Sequence, residues 1–231
     1  MILLGFTCIL ATILTLNNVG LHHLLANSFP VEYPWQILSG IFVHGIAEGP
    51  PELNIGHLVS NLLFVIPFGI LVEKVIGNNR FSVLTIATWV MQSILFLILS
   101  SLLMPGDETT RNAGISGLGF LFGTVGAYIL FRLFVKNRKV FFKQILIYFY
   151  LLVLLVMVIT LNPFMGGWSP FFLHLSGVIS GIVFILISRK YIDANICALM
   201  EEDRLMIKSS KTNWLWLIAP VFFVVMLVIF R

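Results

Sequence analysis

Seven apolar runs, each near or beyond the length a helix needs to cross a lipid bilayer, govern what this 231-residue chain can fold into. They cover residues 2–18, 57–76, 81–103, 114–135, 141–161, 171–190 and 213–230. A hydrocarbon core about 30 Å thick takes roughly 20 helical residues to traverse. Inside it every backbone N–H and C=O must be satisfied by the chain itself, so runs of this kind are helices. The first run is the weakest, because Asn17, Asn18 and Gly20 interrupt it. Charge supports the same reading. Only 10% of residues are charged, against roughly 25% in a soluble domain, and mean hydropathy is +1.02. Such a chain cannot cover its surface in water, so lipid must solvate much of it. The fold class is all-α, a polytopic membrane helical bundle, with no room for a second sizeable domain.

The net charge of +4 could point to nucleic acid, but the basic residues have another distribution. Lys74 and Arg80 lie between the second and third runs. Arg132, Lys136, Arg138, Lys139 and Lys143 surround the turn from fourth to fifth. Arg189, Lys190, Arg204, Lys208 and Lys211 lie between sixth and seventh. Twelve of the fourteen therefore fall on one side, and only Arg111 and Arg231 on the other. By the positive-inside rule the amino terminus is expected in the cytoplasm and the carboxyl terminus outside. Lipid, and not nucleic acid, is the expected surrounding partner. Cys8 and Cys197 read as two unpaired thiols. Met1-Ile2-Leu3-Leu4 has no basic start, so a retained first helix is expected in place of a cleaved signal.

In this topology the second, fourth and sixth helices all run inward from the outer leaflet. The polar residues that stand out in them, His57 and Asn61, Ser116, and His174, each fall near a helix start. Three distant stretches thus place polar groups at one depth. Ser116 sits in Gly114-Ile115-Ser116-Gly117, which by itself fits a small-residue helix contact better than a catalytic site. His174, Gly177 and Gly181 share one helical face, suited to close packing. The expected mating surface on the fourth helix is Gly119, Gly123 and Gly126. An ionisable group inside a membrane helix is costly, which favours a function for His174. Neutral imidazole can take the proton of a serine hydroxyl and make it nucleophilic. No carboxylate is well placed to complete a triad, although Asp107 and Glu108 precede Ser116 on the same side. A dyad is the simpler reading. His57 and Asn61, four apart on one face, fit either an oxyanion-binding pair or a polar link between helices.

Together, Gly114-x-Ser116-Gly117, His57-x-x-x-Asn61 and His174-x-x-Gly177-x-x-x-Gly181 resemble the rhomboid family of intramembrane serine proteases. Gly69, Glu73, and the stretch from Trp35-Gln36-Ile37-Leu38 to Phe42-Val43-His44 are also family-like. The resemblance spans about residues 33–190. It implies a six-helix core over residues 1–190, a cytoplasmic loop over 191–212 and an additional helix over 213–231. It further implies hydrolysis of peptide bonds in or beside the transmembrane segments of membrane-protein substrates. Ser116 would be nucleophile and His174 general base. His57, Asn61 and the Ser116 N–H would hold the oxyanion. Gly114, Gly117, Phe120, Gly177 and Gly181 would pack the site, with Phe120 against the histidine. No metal or cofactor is implied. The plasma membrane is the expected location, with the site toward the outer leaflet.

Three features depart from the family. Trp35-Gln36 stands where members usually have Trp-Arg, the stretch Gly45 to Gly56 reads as an insertion, and the glycines after Gly117 are unusually spaced. His22, His23 and His44 match no catalytic position and read as interfacial or structural. The competing class is a non-proteolytic relative that binds membrane-protein clients, though such relatives typically lack the serine or the histidine. A transporter would instead spread its polar residues through the full depth.

Overall fold

In a computed structural model the apolar runs become helices. The structure describes residues 2–29, 31–45, 50–103, 110–112, 114–136, 138, 141, 145–166 and 168–201. Among these, α1 covers Ile2–Thr15, α2 Val19–Leu25, α3 Gln36–Ser39, α4 Pro51–Ile76, α5 Asn78–Leu103 and α6 Ser116–Lys136. Then come α7, Ile145–Thr160, the single turn α8, Pro163–Gly166, and α9, Trp168–Glu201. Four helices, α4, α5, α6 and α9, are long and apolar enough to cross a membrane, while α1 and α7 are apolar but shorter. The expected helix over 213–230 and most of the loop before it lie outside the described residues.

Local chemistry explains the boundaries. α4 begins six residues ahead of the apolar run because Pro51 at its first turn needs no N–H acceptor and Glu52 complements the helix dipole. His57 therefore stands in the second turn, not at the start. Gly77, at φ +79°, ends α4 and lets α5 begin at once. Asn18 caps α2 by accepting from the Leu21 N–H at 2.9 Å. α9 continues eleven residues past the expected 190, so the stretch assigned to a loop from 191 opens as helix. Its second half is amphipathic enough to stay folded there, because Ile192 and Ile196 are fully buried. Among the described residues two short elements are not helical. β1, Asn27–Phe29, pairs antiparallel with β2, Thr110–Asn112, with Ser28 opposite Arg111.

The core centres on α6, which packs chiefly against α9 and α4. Leu118, Leu121, Phe122, Val125 and Ile129 are fully buried along it. The outer faces are apolar too: Val83, Ile86, Leu102, Val158, Leu186 and Ile187 are each more than half exposed. A soluble monomer rarely presents so much apolar surface, whereas lipid accommodates it. Cys8 is buried and its thiol donates to the Ile41 carbonyl at 3.6 Å.

Candidate active site

The site forms where α6 opens. Gly114 adopts φ +138°, a conformation an L side chain rarely takes, and this turns the chain sharply into α6 at Ser116. The turn is pinned from outside. The Gly114 N–H donates to the Gly40 carbonyl at 3.0 Å, and the Ile115 N–H donates to His44 Nε2 at 3.3 Å. Ser116 and Gly117 begin the helix, where N–H groups have no intrahelical acceptor. Ser116 itself is buried, at 6% exposure.

α9 delivers His174 to the same level. A Cβ at Gly177 would collide with the Gly117 carbonyl oxygen and come within 2.9 Å of Phe120 Cβ. A Cβ at Gly181 would lie 2.9 Å from the Leu121 oxygen and 2.7 Å from Thr124 Cβ. Moving one turn along α9 thus moves one turn along α6 in the same direction, so the helices are parallel and in close contact. One turn before Gly177, the His174 ring stacks on Phe120 with centroids 4.2 Å apart and planes 24° apart. Phe120 lies one turn after Ser116, and helical side chains lean toward the amino end. The His174 ring therefore lies at the depth of the first turns of α6, which Ser116 opens.

The mating surface on α6 differs from expectation. Gly119 faces Val65 and Phe64 of α4, Gly123 faces Met157 of α7, and Gly126 faces Phe68 of α4. α9 meets the other side, through Gly117, Leu121 and Thr124. The two rows are two residues apart, about 200° around a helix at 3.6 residues per turn. Because the first half of α6 is enclosed by α4, α7 and α9, it carries small residues toward several neighbours, and spacing alone could not assign each row.

α4 brings His57 and Asn61 beneath the turn. A Cβ on Gly114 would sit 3.0 Å from both Asn61 Nδ2 and His57 Cε1. Asn61 Nδ2 lies 3.1 Å from His57 Nε2. The Gly45 N–H donates to His57 Nδ1 at 3.1 Å. A neutral imidazole accepting at Nδ1 carries its proton on Nε2. At rest, a half-turn of the Asn61 amide lets its oxygen take that proton. The reverse half-turn presents two N–H donors at one point, a demand an anionic oxygen would meet.

No carboxylate serves His174 among the described residues. Asp193 is held at the other end of α9 by Arg132 Nε at 2.8 Å and by the Tyr128 hydroxyl at 3.0 Å. His174 Nδ1 has no hydrogen-bond partner there. Asp107 and Glu108 lie outside the described residues. No group of three or more metal-ligating side chains occurs among those described.

The structure adds two contributors, of which Gln36 stood out in the sequence only as a departure from the family and Gln92 not at all. Gln92 of α5, 1% exposed, has its amide against Gly117; a lone amide in an apolar helix was the only signal. Gln36, standing where the family usually has arginine, organises the segment before the site. Its oxygen accepts from the Ser28 hydroxyl at 2.6 Å and the Tyr33 N–H at 3.1 Å, and its nitrogen donates to the His23 carbonyl at 2.9 Å. A neutral amide thus orders this loop without a charge.

The family model for the Rhomboid domain matches residues 31–191, more than half of the chain. No curated protein and no solved structure matches.

Proposed function

The chain belongs to the rhomboid family and is an integral multi-pass membrane protein, and from that premise we propose that it is an intramembrane serine endopeptidase. The observation that carries this reading is the register of α6 and α9. Gly177 against Gly117 and His174 stacked on Phe120 set α9 against the first turns of α6, and this supports a reading in which the imidazole serves the Ser116 hydroxyl. In the proposed reaction the imidazole takes the hydroxyl proton as Ser116 Oγ attacks the scissile carbonyl. The tetrahedral oxygen is held by the His57 Nε2–H, the Asn61 amide and the Ser116 N–H. The protonated histidine then gives its proton to the departing amine, and water resolves the acyl-enzyme by the same route in reverse.

The substrates proposed are transmembrane segments of other membrane proteins, which reach the site from the bilayer. The charge distribution supports an amino terminus in the cytoplasm and a site toward the outer leaflet, and the membrane proposed is the plasma membrane. The test is cleavage of a reconstituted transmembrane reporter. Ser116→Ala and His174→Ala should each reduce turnover to background while the protein stays folded. Undiminished cleavage by either variant would overturn the dyad. A folded wild-type protein that binds the reporter without cutting it would point to client binding.

A further inference from the structure

His44 lies between two elements that the mechanism does not otherwise connect. On one side its Nε2 accepts from the Ile115 N–H, one residue before Ser116. On the other its Nδ1 lies 3.1 Å from Thr12 Oγ1, in the first helix. The direction of both bonds follows from stoichiometry. A backbone N–H can only donate, so Nε2 is unprotonated and the single proton of the neutral ring sits on Nδ1. Nδ1–H then donates to Thr12, whose own hydroxyl donates onward to the Phe42 carbonyl at 3.5 Å. Both residues are sealed from solvent, His44 at 0% and Thr12 at 1% exposure. Cys8, one turn earlier on the same face of α1, reaches the Ile41 carbonyl in the same way. That face of α1 therefore meets residues 41–44 as well as α4, where Gly5 lies against Ile66 and Leu62. α1 lies outside the stretch that the Rhomboid domain model covers.

Without the Thr12 oxygen, the Nδ1 proton would be left only the nearby Phe42 carbonyl, to which it makes no well-aligned bond, and the buried ring would gain by moving its proton to Nε2 or rotating. Either change would withdraw the acceptor from the Ile115 N–H, and the turn that aims Ser116 would lose one of its two pins. We propose that Thr12 is a positioning residue: by accepting the His44 Nδ1 proton it fixes the tautomer that anchors the Ile115 N–H and so orients Ser116. This role rests on the protease reading above.

Two measurements on the full-length protein in mild detergent test it. The first is the rate at which a fluorophosphonate labels Ser116, with kcat and KM on the transmembrane reporter. The second is backbone hydrogen exchange at Gly114 and Ile115, which needs no activity. Thr12→Val keeps the side-chain shape without the hydroxyl. It should slow labelling roughly tenfold, the worth of one buried hydrogen bond, lower kcat with KM nearly unchanged, and speed exchange at Ile115. Thr12→Ser should restore all three. His44→Gln places an acceptor where Nε2 was and should retain more activity than His44→Asn, whose amide reaches only toward Thr12. A folded Thr12→Val protein that labels and exchanges like wild type would overturn the proposal. So would a change confined to KM. Wild-type protein that never labels would sink the protease reading and this role with it, whichever way the exchange falls.

Discussion

The two ends of the α6–α9 pair are held by opposite means. At the Ser116 end the contacts are neutral and close: glycine against backbone, imidazole on phenyl, and N–H groups on carbonyl or ring nitrogen. At the other end α9 is held to α6, α5 and α4 by polar side chains, some of them charged and partly open to the surroundings. Arg132 and Asp193 pair at 2.8 Å with side chains 28% and 23% exposed, Arg80 lies 3.7 Å over the Tyr191 ring, and Asn195 donates to the Val75 carbonyl at 2.7 Å. Charged side chains tolerate small displacements and are screened by salt, whereas a backbone contact at a glycine tolerates almost none. Under the proposed function, the end that would hold a nucleophile and a base in register is the one without adjustable parts.

The sharpest break of this comparison is Gly177→Val. Its branched side chain would meet the Gly117 carbonyl, which cannot swing aside, and should abolish cleavage and lower the unfolding midpoint through overpacking of about 1–3 kcal/mol or more. Gly117→Ala should do less, because the group its Cβ would meet is the movable amide of Gln92. Asn61→Ala, which removes a donor and adds no bulk, should lower kcat by about 10²–10³ with little change in thermal stability. A fall in stability as large as the fall in rate would mean that Asn61 is mainly structural.

Acid should also act on the neutral end. Burial, with His57 nearby, holds the His44 ring's pKa down to about 3 from its ordinary 6.5. The folded state keeps the ring neutral while the unfolded chain protonates it below about 6.5. The stability tied to His44 is thus complete above about pH 6.5 and is lost as pH falls toward 3. Denaturation profiles of wild type and His44→Gln should diverge over that window. The smallest effect belongs to the charged end. Asp193→Asn should cost about 1 kcal/mol or less, shrink further at high salt, and leave kcat within about twofold.

Much of this was legible from residue order. Long apolar runs dictate helices, and His57, Asn61, Ser116 and His174 near the starts of three of them announce a shared depth. The shift of the α9 contact from Gly119, Gly123 and Gly126 to Gly117, Leu121 and Thr124 was not legible, because periodicity defines faces without saying which neighbour each meets. The Thr12–His44–Ile115 bridge was hidden for a related reason. His44 and Ile115 are 71 residues apart, and only the folded loop brings them together. The extension of α9 to Glu201 was obscured by its charges, which read as a solvated connection until Ile192 and Ile196 were seen buried.

The central claim is that His174 activates Ser116, and fluorophosphonate labelling of the purified protein tests it most directly, since it needs an activated serine and no known substrate. If His174 activates Ser116, wild type labels stoichiometrically at Ser116 and the labelling disappears in both Ser116→Ala and His174→Ala. Labelling that persists in His174→Ala at the wild-type rate, in protein that remains folded, would contradict it.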